Sequence, residues 1–306
     1  MKLIKPTAEL WEQGHTIKAI WKHIARCTRV CYQSIPKNEG EDDEAFVRRV
    51  LFRHEPDNSV ANHLAMLEHG TVYLHKVIDT YLDLTEKFYE KYRYNKYSKV
   101  VTKNHHFEKG GEVFDVYITT NLRVIIENNW QNDLYYLCKP TEYHEHRYTI
   151  CFTTNLGVSR EFNRHRVNSI AEESTRYCNY SKDKFGGKIT FVQPAWIDGL
   201  KDSYSSELDV IAKTPQDGYM KGVEVYLNAL INAQKSYMEL IELGWIPQQA
   251  REVLPLATKT QLVHTAFGTD WQHFIKLRSD GVSGAPHPNA KVLGDKVKEL
   301  LKGKTI

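Results

Sequence analysis

Two spacings of apolar residues divide this sequence into elements. Between Asp43 and His54, Phe46, Val47, Val50 and Leu51 follow the i, i+1, i+4, i+5 spacing of one helical face. The acidic loop PKNEGEDDE (Pro36 to Glu44) leads into that helix, its carboxylates suiting an N-terminus, and Pro56-Asp57-Asn58 stops it. Trp21 to Tyr32 is apolar at mixed spacing, and short helices are expected over Ala61 to Glu68, Leu122 to Leu137 and Gly157 to Asn163. The longest stripe, with Val223, Leu227, Leu230, Tyr237 and Ile241, predicts a core or interface helix from Tyr219 to Leu243, closed by Gly244 ahead of Pro247. Strand signals come from Tyr148 to Thr153, from KITFV (Lys188 to Val192) behind the Gly186-Gly187 turn, and from the alternating Thr260 to Phe267. Thr269 or Asp270 is placed to cap a helix reaching Leu277, and a last helix is expected from about Asn289 to Leu301. Helix and strand do not alternate as βαβ units. The fold class is therefore α+β: a twisted, mainly antiparallel sheet packed with long helices, rather than a doubly wound sheet.

Residues 71–147 differ in texture. Aromatic and basic side chains crowd YEKYRYNKYSK (Tyr89 to Lys99), and Gly110-Gly111 reads as a turn, so this stretch is expected to be a large insertion within one domain spanning 1–306. The aromatic-basic run could stack and neutralise single-stranded nucleic acid, but a solvated helical face with tyrosines turned inward is the simpler reading. His144-Glu145-His146 and His105-His106 lack the cysteine partners or the HExxH spacing of a zinc site, so no metal is expected.

Charge and cysteine content narrow the class. The 306 residues carry 41 basic and 38 acidic side chains, a net charge of +3, which argues against a general nucleic-acid binder. The five cysteines form no CxxC pair and are odd in number, the start shows no apolar leader, and no run of about 18 apolar residues could span a membrane; the expectation is a cytoplasmic protein without a membrane segment. No P-loop or Rossmann fingerprint occurs, since FGGK (Phe185 to Lys188) precedes a strand rather than a helix. A nucleotide here has to be held by side chains.

The densest polar stretch is SREFNRHRVNSIAEESTRYCNYS, Ser159 to Ser181, with Arg160, Arg164, Arg166 and Arg176. Arginines this close need anions. On a helix Arg160 and Arg164 share a face, and in an extended stretch Glu172, Ser174 and Arg176 point one way. Such a surface offers forked donors for phosphate oxygens, a hydroxyl, and a carboxylate to accept an N–H, which suits a nucleotide. The bland alternative is a solvated face on which the arginines pair with Glu161, Glu172 and Glu173.

Arg164-His165-Arg166 followed by Ser169, Ser174 and Arg176 satisfies RHRxxSxxxxSxR, and the sequence here resembles the flavin-dependent thymidylate synthases. Further matches occur in order: Arg29-Val30-Cys31-Tyr32 resembles the early RVS[FY] stretch, His63 to His69 (HLAMLEH) the HxxxxEH element, and AREVLP with Arg251 and HFIKLR with Arg278 the two downstream arginine motifs. The resemblance implies methylation of dUMP to dTMP with methylenetetrahydrofolate as carbon donor, FAD as redox carrier and NADPH as reductant, in a homotetramer with shared sites. It implies that Arg164, His165 and Arg166 hold cofactor and substrate phosphates. Glu161, Phe162, Asn163, Glu172, Glu173, Ser174, Thr175, Arg176 and Arg251 would line the dUMP pocket. Arg278 would sit at the uracil, favouring ionisation of N3–H, because a guanidinium stabilises the developing imidate and keeps its own proton. Ser174, the other residue expected at the catalytic centre, reads as a substrate contact rather than a nucleophile. The FAD side would be drawn from Cys31, Ala65, Glu68, Glu172, Phe267, Thr269 and His273, with the arginine motif.

Several positions depart from the family pattern. Glu161 replaces a frequent glutamine, Ala171 an asparagine, Ala65 a flavin-contacting threonine, and Phe267, Thr269 and His273 fall where some members use polar flavin contacts. An HAxxE-like run has become His287 to Lys291. None of the five cysteines adjoins a proline, as the nucleophile of a classical thymidylate synthase usually does, and the flavin route needs none. Two other readings remain: a nucleic-acid-binding module using the arginine cluster for phosphate contacts, and a FAD-binding relative without synthase activity.

Overall fold

The computed structural model describes residues 1–36, 40–54, 60–79, 87–106, 112–213 and 218–306. The chain begins with β1 (Lys2–Ile4), β2 (Thr7–Trp11), α1 (Ile17–Tyr32), α2 (Asp43–Leu51), β3 (Phe52–His54) and β4 (Val60–Asn62). A 3-10 turn (Leu64–His69) leads into β5 (Thr71–Asp79), α3 (Lys87–Arg93), β6 (Lys99–His106), β7 (Glu112–Asn121) and α4 (Leu122–Glu127). After a second 3-10 turn (Gln131–Tyr136) come β8 (Arg147–Asn155), α5 (Leu156–Phe162), β9 (Ser169–Glu172), β10 (Thr190–Val192), α6 (Glu207–Lys213), α7 (Gly218–Glu242) and α8 (Pro247–Ala250). The described chain closes with β11 (Lys259–Phe267), α9 (Gly268–Ile275), a π-helical turn (Lys276–Asp280) and α10 (Pro288–Leu300).

Antiparallel pairing dominates, as expected, but it is divided among several sheets. One has the order β2-β8-β11-β9 and another β5-β7-β6, all antiparallel; β3 pairs with β4, and β1 runs parallel to β10. The four-stranded sheet lies between two helical layers. Ile150, Phe152, Leu262 and Ala266 face Phe162, Trp271, Phe274 and Leu293 of α5, α9 and α10. Cys151, Val263 and Ala171 face Cys27 and Val30 of α1 on the other side. Gly70 is needed where α1 crosses the first 3-10 turn, because a Cβ there would stand 2.5 Å from Ile24 Cδ1 and 2.9 Å from Ile20 Cγ2.

Local chemistry moved several expected boundaries. The helix expected to reach Leu137 stops at Glu127, where the Asn128 side chain donates to the Val124 carbonyl at 2.8 Å and Asn129 turns left-handed at φ 58°. The helix expected over 61–68 is a strand followed by a 3-10 turn, and the aromatic-basic run is helical only to Arg93, ahead of an Asn95 turn that accepts from the Tyr97 N–H at 2.9 Å. The residue capping α9 is Phe267 rather than Thr269 or Asp270, and the Thr269 hydroxyl donates instead to Glu145 at 2.8 Å. The Pro56-Asp57-Asn58 stop and the Gly110-Gly111 turn lie outside the described residues.

Candidate functional site

Arg278 anchors the most ordered part of the site. It lies on the π-helical turn after α9, and all three arms of its guanidinium are engaged: Nη1 with Glu161 Oε2 at 3.0 Å, Nη2 with the Glu161 carbonyl at 2.8 Å, and Nε with His165 Nε2 at 3.2 Å. Because Nε always donates, His165 Nε2 accepts, which leaves the proton of the neutral ring on Nδ1. Burial, reinforced by the neighbouring Arg278 and His273, pushes His165 down to about 4, so this tautomer persists at neutral pH. α10 holds the turn in place. Its Asp295 accepts from Ser279 Oγ at 2.6 Å, its Lys298 pairs with Asp280 at 2.8 Å, and a Cβ on Gly294 would land on the Arg278 carbonyl. The helix is started by His287, whose ring accepts from the Asn289 N–H at 3.3 Å, followed by Pro288 in the first turn. The departures at 287–291 thus still build a supporting helix.

β9 links this centre to a second group. The Glu172 carboxylate accepts from Asn163 Nδ2 at 2.9 Å and from Thr260 Oγ1 at 3.1 Å. Glu173 turns away, its side chain 1% exposed, to pair with Lys259 at 2.6 Å and accept from Tyr180 at 3.3 Å; it lies among structural partners rather than beside Arg278. The expected alternation of Glu172, Ser174 and Arg176 is not found, because β9 ends at Glu172 and the chain turns over 175–177. Within that turn the Ser174 N–H donates to the Cys31 carbonyl at 2.9 Å, and Arg251 reaches Thr175 Oγ1 at 3.3 Å. The Ser174 hydroxyl makes no hydrogen bond among the described residues, so no base is in place to activate it. Arg164, Arg166 and Arg176 are exposed, without ion-pair partners among the described residues, although Arg176 lies 5.4 Å from its neighbour's ring, Tyr177. Arg160 is also exposed, and α5 ends at Phe162, before Arg164 could share its helical face.

The expected flavin-side residues are spread more widely. Cys31 Sγ lies 3.9 Å from Met66 Sδ, next to the exposed Ala65. The Glu68 carboxylate is taken by Arg123 of α4 at 2.5 Å. Phe267 is buried, with the Arg147 guanidinium 5.4 Å from its ring centroid, while His273 is exposed with its ring 6.0 Å from His165. Burial pushes all five thiols up, Cys138 and Cys178 to about 11 and Cys151 to about 12, so none rests as a nucleophilic thiolate at neutral pH.

A polar chain that sequence reasoning missed crosses beneath the site. His23 Nε2 meets Thr149 Oγ1 at 3.0 Å, Thr149 meets Thr265 at 2.7 Å, and Thr265 meets His69 Nδ1 at 2.8 Å, all buried. On the opposite face Asn168 contacts His264 Nδ1 at 3.0 Å. The available signal was polar His264 and Thr265 inside an otherwise apolar strand pattern, which marks buried polar groups needing partners. His144, considered above as a metal ligand, is buried and held by the Leu74 carbonyl at 3.1 Å and the Thr141 N–H at 3.0 Å.

Comparison with known proteins agrees with the motif reading. Flavin-dependent thymidylate synthases from Thermosipho africanus and Thermosipho melanesiensis are 27% and 28% identical over 153 residues, which is 49% of this chain and 63% of theirs. That from Aquifex aeolicus is 31% identical over 136 residues, 43% of this chain and 39% of its own. The match thus spans less than two thirds of each of these relatives. A UMP/dUMP methylase, PolB from Streptomyces cacaoi, superposes on 99% of this chain at 15% identity with a TM-score of 0.43, too low to carry an argument. The family model described as thymidylate synthase complementing protein matches residues 138–302, more than half of the chain and the stretch that holds Glu161, the arginine motif, Arg251 and Arg278, and the chain belongs to that family.

Proposed function

We propose that this protein methylates dUMP to dTMP, with methylenetetrahydrofolate as carbon donor, FAD as redox carrier and NADPH as reductant. The arrangement of Arg278, Glu161 and neutral His165 carries the proposal. Uracil presents two carbonyl oxygens on either side of N3–H, and an Arg–Glu pair offers the complementary donor and acceptor. Glu161 accepts the N3 proton's hydrogen bond, while Arg278, released from part of its fork, donates to a carbonyl oxygen. As the N3 proton passes to the Glu161 carboxylate, the guanidinium stabilises the imidate, and electron density rises at carbon five. Thr175, Arg176 and Arg251 receive the phosphate, and Ser174 positions the nucleotide. No cysteine attack is needed, in keeping with five thiols held protonated by burial.

The residues suit FAD at its phosphate end, where Arg164 and Arg166 stand in solvent without ion-pair partners among the described residues, beside the neutral His165. Glu68 and Thr269 are engaged elsewhere, so Phe267 and His273 are left to flank the cofactor. Bound there, the flavin would supply the hydride that completes the methyl group. We further propose a cytoplasmic homotetramer in which the exposed Arg164, Arg166 and Arg176 serve sites shared between subunits, with residues 71–147 as an insertion in one domain spanning 1–306. The meeting of the insertion's ends supports this, Arg147 Nη1 donating to the Glu68 carbonyl at 3.1 Å and to Thr71 Oγ1 at 3.3 Å. Among the described residues, no helix is long and apolar enough to cross a membrane.

The deciding experiment supplies FAD, NADPH, dUMP and methylenetetrahydrofolate anaerobically and assays dTMP alongside the flavin spectrum. Formation of dTMP is expected. A dUMP-dependent change in the spectrum with no dTMP would favour a FAD-binding relative without synthase activity, and no flavin binding at all would sink both.

A further inference from the structure

We infer that the cavity bounded by the β1–β10 pair, the turn at 184–187 and the end of α1 binds the carboxylate-bearing tail of the folate co-substrate. This rests on the proposed reaction, in which dUMP and FAD are given residues and the folate none.

The cavity holds about 640 Å³, within the range of ligand clefts. Strand alternation builds its first wall. β1 runs parallel to β10 with Lys2 opposite Thr190. Leu3, Ile189 and Phe191 enter the core from one face of this pair, which leaves Lys2 and Ile4 beside Lys188 and Thr190 on the other. A second wall is the turn that carries Lys184 and Phe185, and Gly186 and Gly187 at φ 68° and 58° bring the chain round into β10. Tyr180 and the Glu173–Lys259 pair complete the lining, with the Glu173 side chain only 1% exposed.

Charge singles this cavity out. Lys2, Lys184, Lys188 and Lys259 line it against one carboxylate, Glu173, a surplus of three that equals the net charge of the whole chain. Glu173 is committed to Lys259 at 2.6 Å and to Tyr180 at 3.3 Å. Lys184 donates to the carbonyls of Tyr32 and Gln33 at 3.2 and 3.3 Å, whose partial charges at the end of α1 offset its own only in part. Lys2 and Lys188 are exposed and make no ion pair among the described residues. No arginine lines the cavity. Phosphate is matched best by forked guanidiniums, whereas separate ammoniums on flexible stems follow carboxylates spaced along a chain. Ile4, Ile35 and Phe185 add apolar surface for the aminobenzoyl ring that joins such a tail to the pterin. The cavity also borders the residues given to dUMP. Lys184 holds the Tyr32 and Gln33 carbonyls, and the Cys31 carbonyl just before them takes the Ser174 N–H at 2.9 Å, so the last turn of α1 divides the lysine cavity from the nucleotide's turn.

The test titrates the full chain, in the presence of FAD and dUMP, with tetrahydrofolate bearing one or three glutamates, and then assays dTMP with the corresponding methylene derivatives. The triglutamate is expected to bind about three- to tenfold tighter, since each exposed ion pair it adds contributes about two- to threefold. Lys2→Gln combined with Lys188→Gln should erase most of that advantage while the melting temperature holds. Equal affinity for the two folates, or an advantage kept in the folded double variant, would overturn the inference. A raised KM for NADPH in that variant, with the glutamate advantage intact, would overturn it in favour of the dinucleotide's phosphates. Formation of dTMP without any triglutamate advantage sinks this inference alone; a triglutamate advantage without dTMP sinks the proposed reaction alone; no binding of either folate sinks both. Should the double variant fail to fold, Lys188→Gln by itself must lose about half the advantage, and an unchanged ratio there overturns the inference instead.

Discussion

The two larger sheets are both antiparallel and both face α1, yet they bury different chemistry against it. The three-stranded sheet offers Val72, Leu74, Val116 and Ile118 to Ile20, Trp21 and Ile24, an apolar contact throughout. The four-stranded sheet offers Thr149 and Thr265 to His23 and His69, joined in a buried hydrogen-bonded chain, beside the small apolar contact around Cys27 and Val30. Arg278, Glu161, His165 and Glu172 all lie on the four-stranded sheet or the elements packed on it, whereas the three-stranded sheet holds none of them. Beneath the sheet that carries the site runs a buried hydrogen-bonded chain, whereas the three-stranded sheet meets α1 through apolar side chains.

The comparison is broken most severely by removing the three-stranded sheet. Replacing residues 75–145 with a short linker exposes the α1 face, including Trp21 and Ile24, that Val116, Ile118, Leu122 and Ile125 cover. At roughly 1.5–3 kcal/mol for each large side chain uncovered, the loss exceeds a typical stability of about 5–15 kcal/mol. The shortened chain is expected in the insoluble fraction; a soluble product with a sharp melting transition would mean that the two sheets fold separately. On the other sheet, Arg278→Ala should lower dTMP formation by about 10²–10³-fold, since one preorganised donor to developing charge contributes that much. Near-normal turnover would remove Arg278 from the chemistry.

Why one region was more legible than the other follows from the same contrast. The strand over Thr260 to Phe267 and the helix over Tyr219 to Leu243 were visible because each keeps one period for its whole length, and the structure places them within a residue of expectation. In the matched region, fixed motif spacing also brought forward the Arg278, Glu161 and His165 group. Spacing could not supply the turn after Glu172, which parts Ser174 and Arg176 from a strand face, nor the Arg123 ion pair that occupies Glu68 across 55 positions of sequence. Between 122 and 137 the apolar pattern continued past Glu127, and two asparagine side-chain and backbone effects outweighed it. Arg147 stayed hidden for a different reason. Nothing in its neighbourhood of the sequence tells that its guanidinium donates to the Glu68 carbonyl, Thr71 and Ser169.

Acid should act mainly through the four-stranded sheet. Burial holds His23 at about 4 and His264 at about 3, below the value near 6.5 that an unfolded histidine has. Neutral imidazoles in the fold mean that the unfolded chain takes up protons first as pH falls through 6.5. Their contribution is therefore complete above that pH and is lost progressively toward pH 4, by an amount on the order of several kcal/mol in total. The urea midpoint should drop sharply between pH 7.5 and pH 5. His23→Gln, which can still meet Thr149, should flatten part of that slope, and an unchanged slope would detach the effect from His23.

The smallest expected effect concerns Ser174, whose hydroxyl makes no hydrogen bond among the described residues. Removing it in Ser174→Ala breaks no hydrogen bond among the described residues, so the melting temperature should hardly move. A lost hydrogen bond to bound dUMP is worth about 0.5–1.5 kcal/mol, which predicts a rise in KM for dUMP of at most about tenfold with kcat little changed. A nucleophile would behave oppositely: kcat would collapse while dUMP binding stayed intact. The split between KM and kcat therefore separates positioning from attack, and it does so at a residue where loss of folding cannot confuse the result.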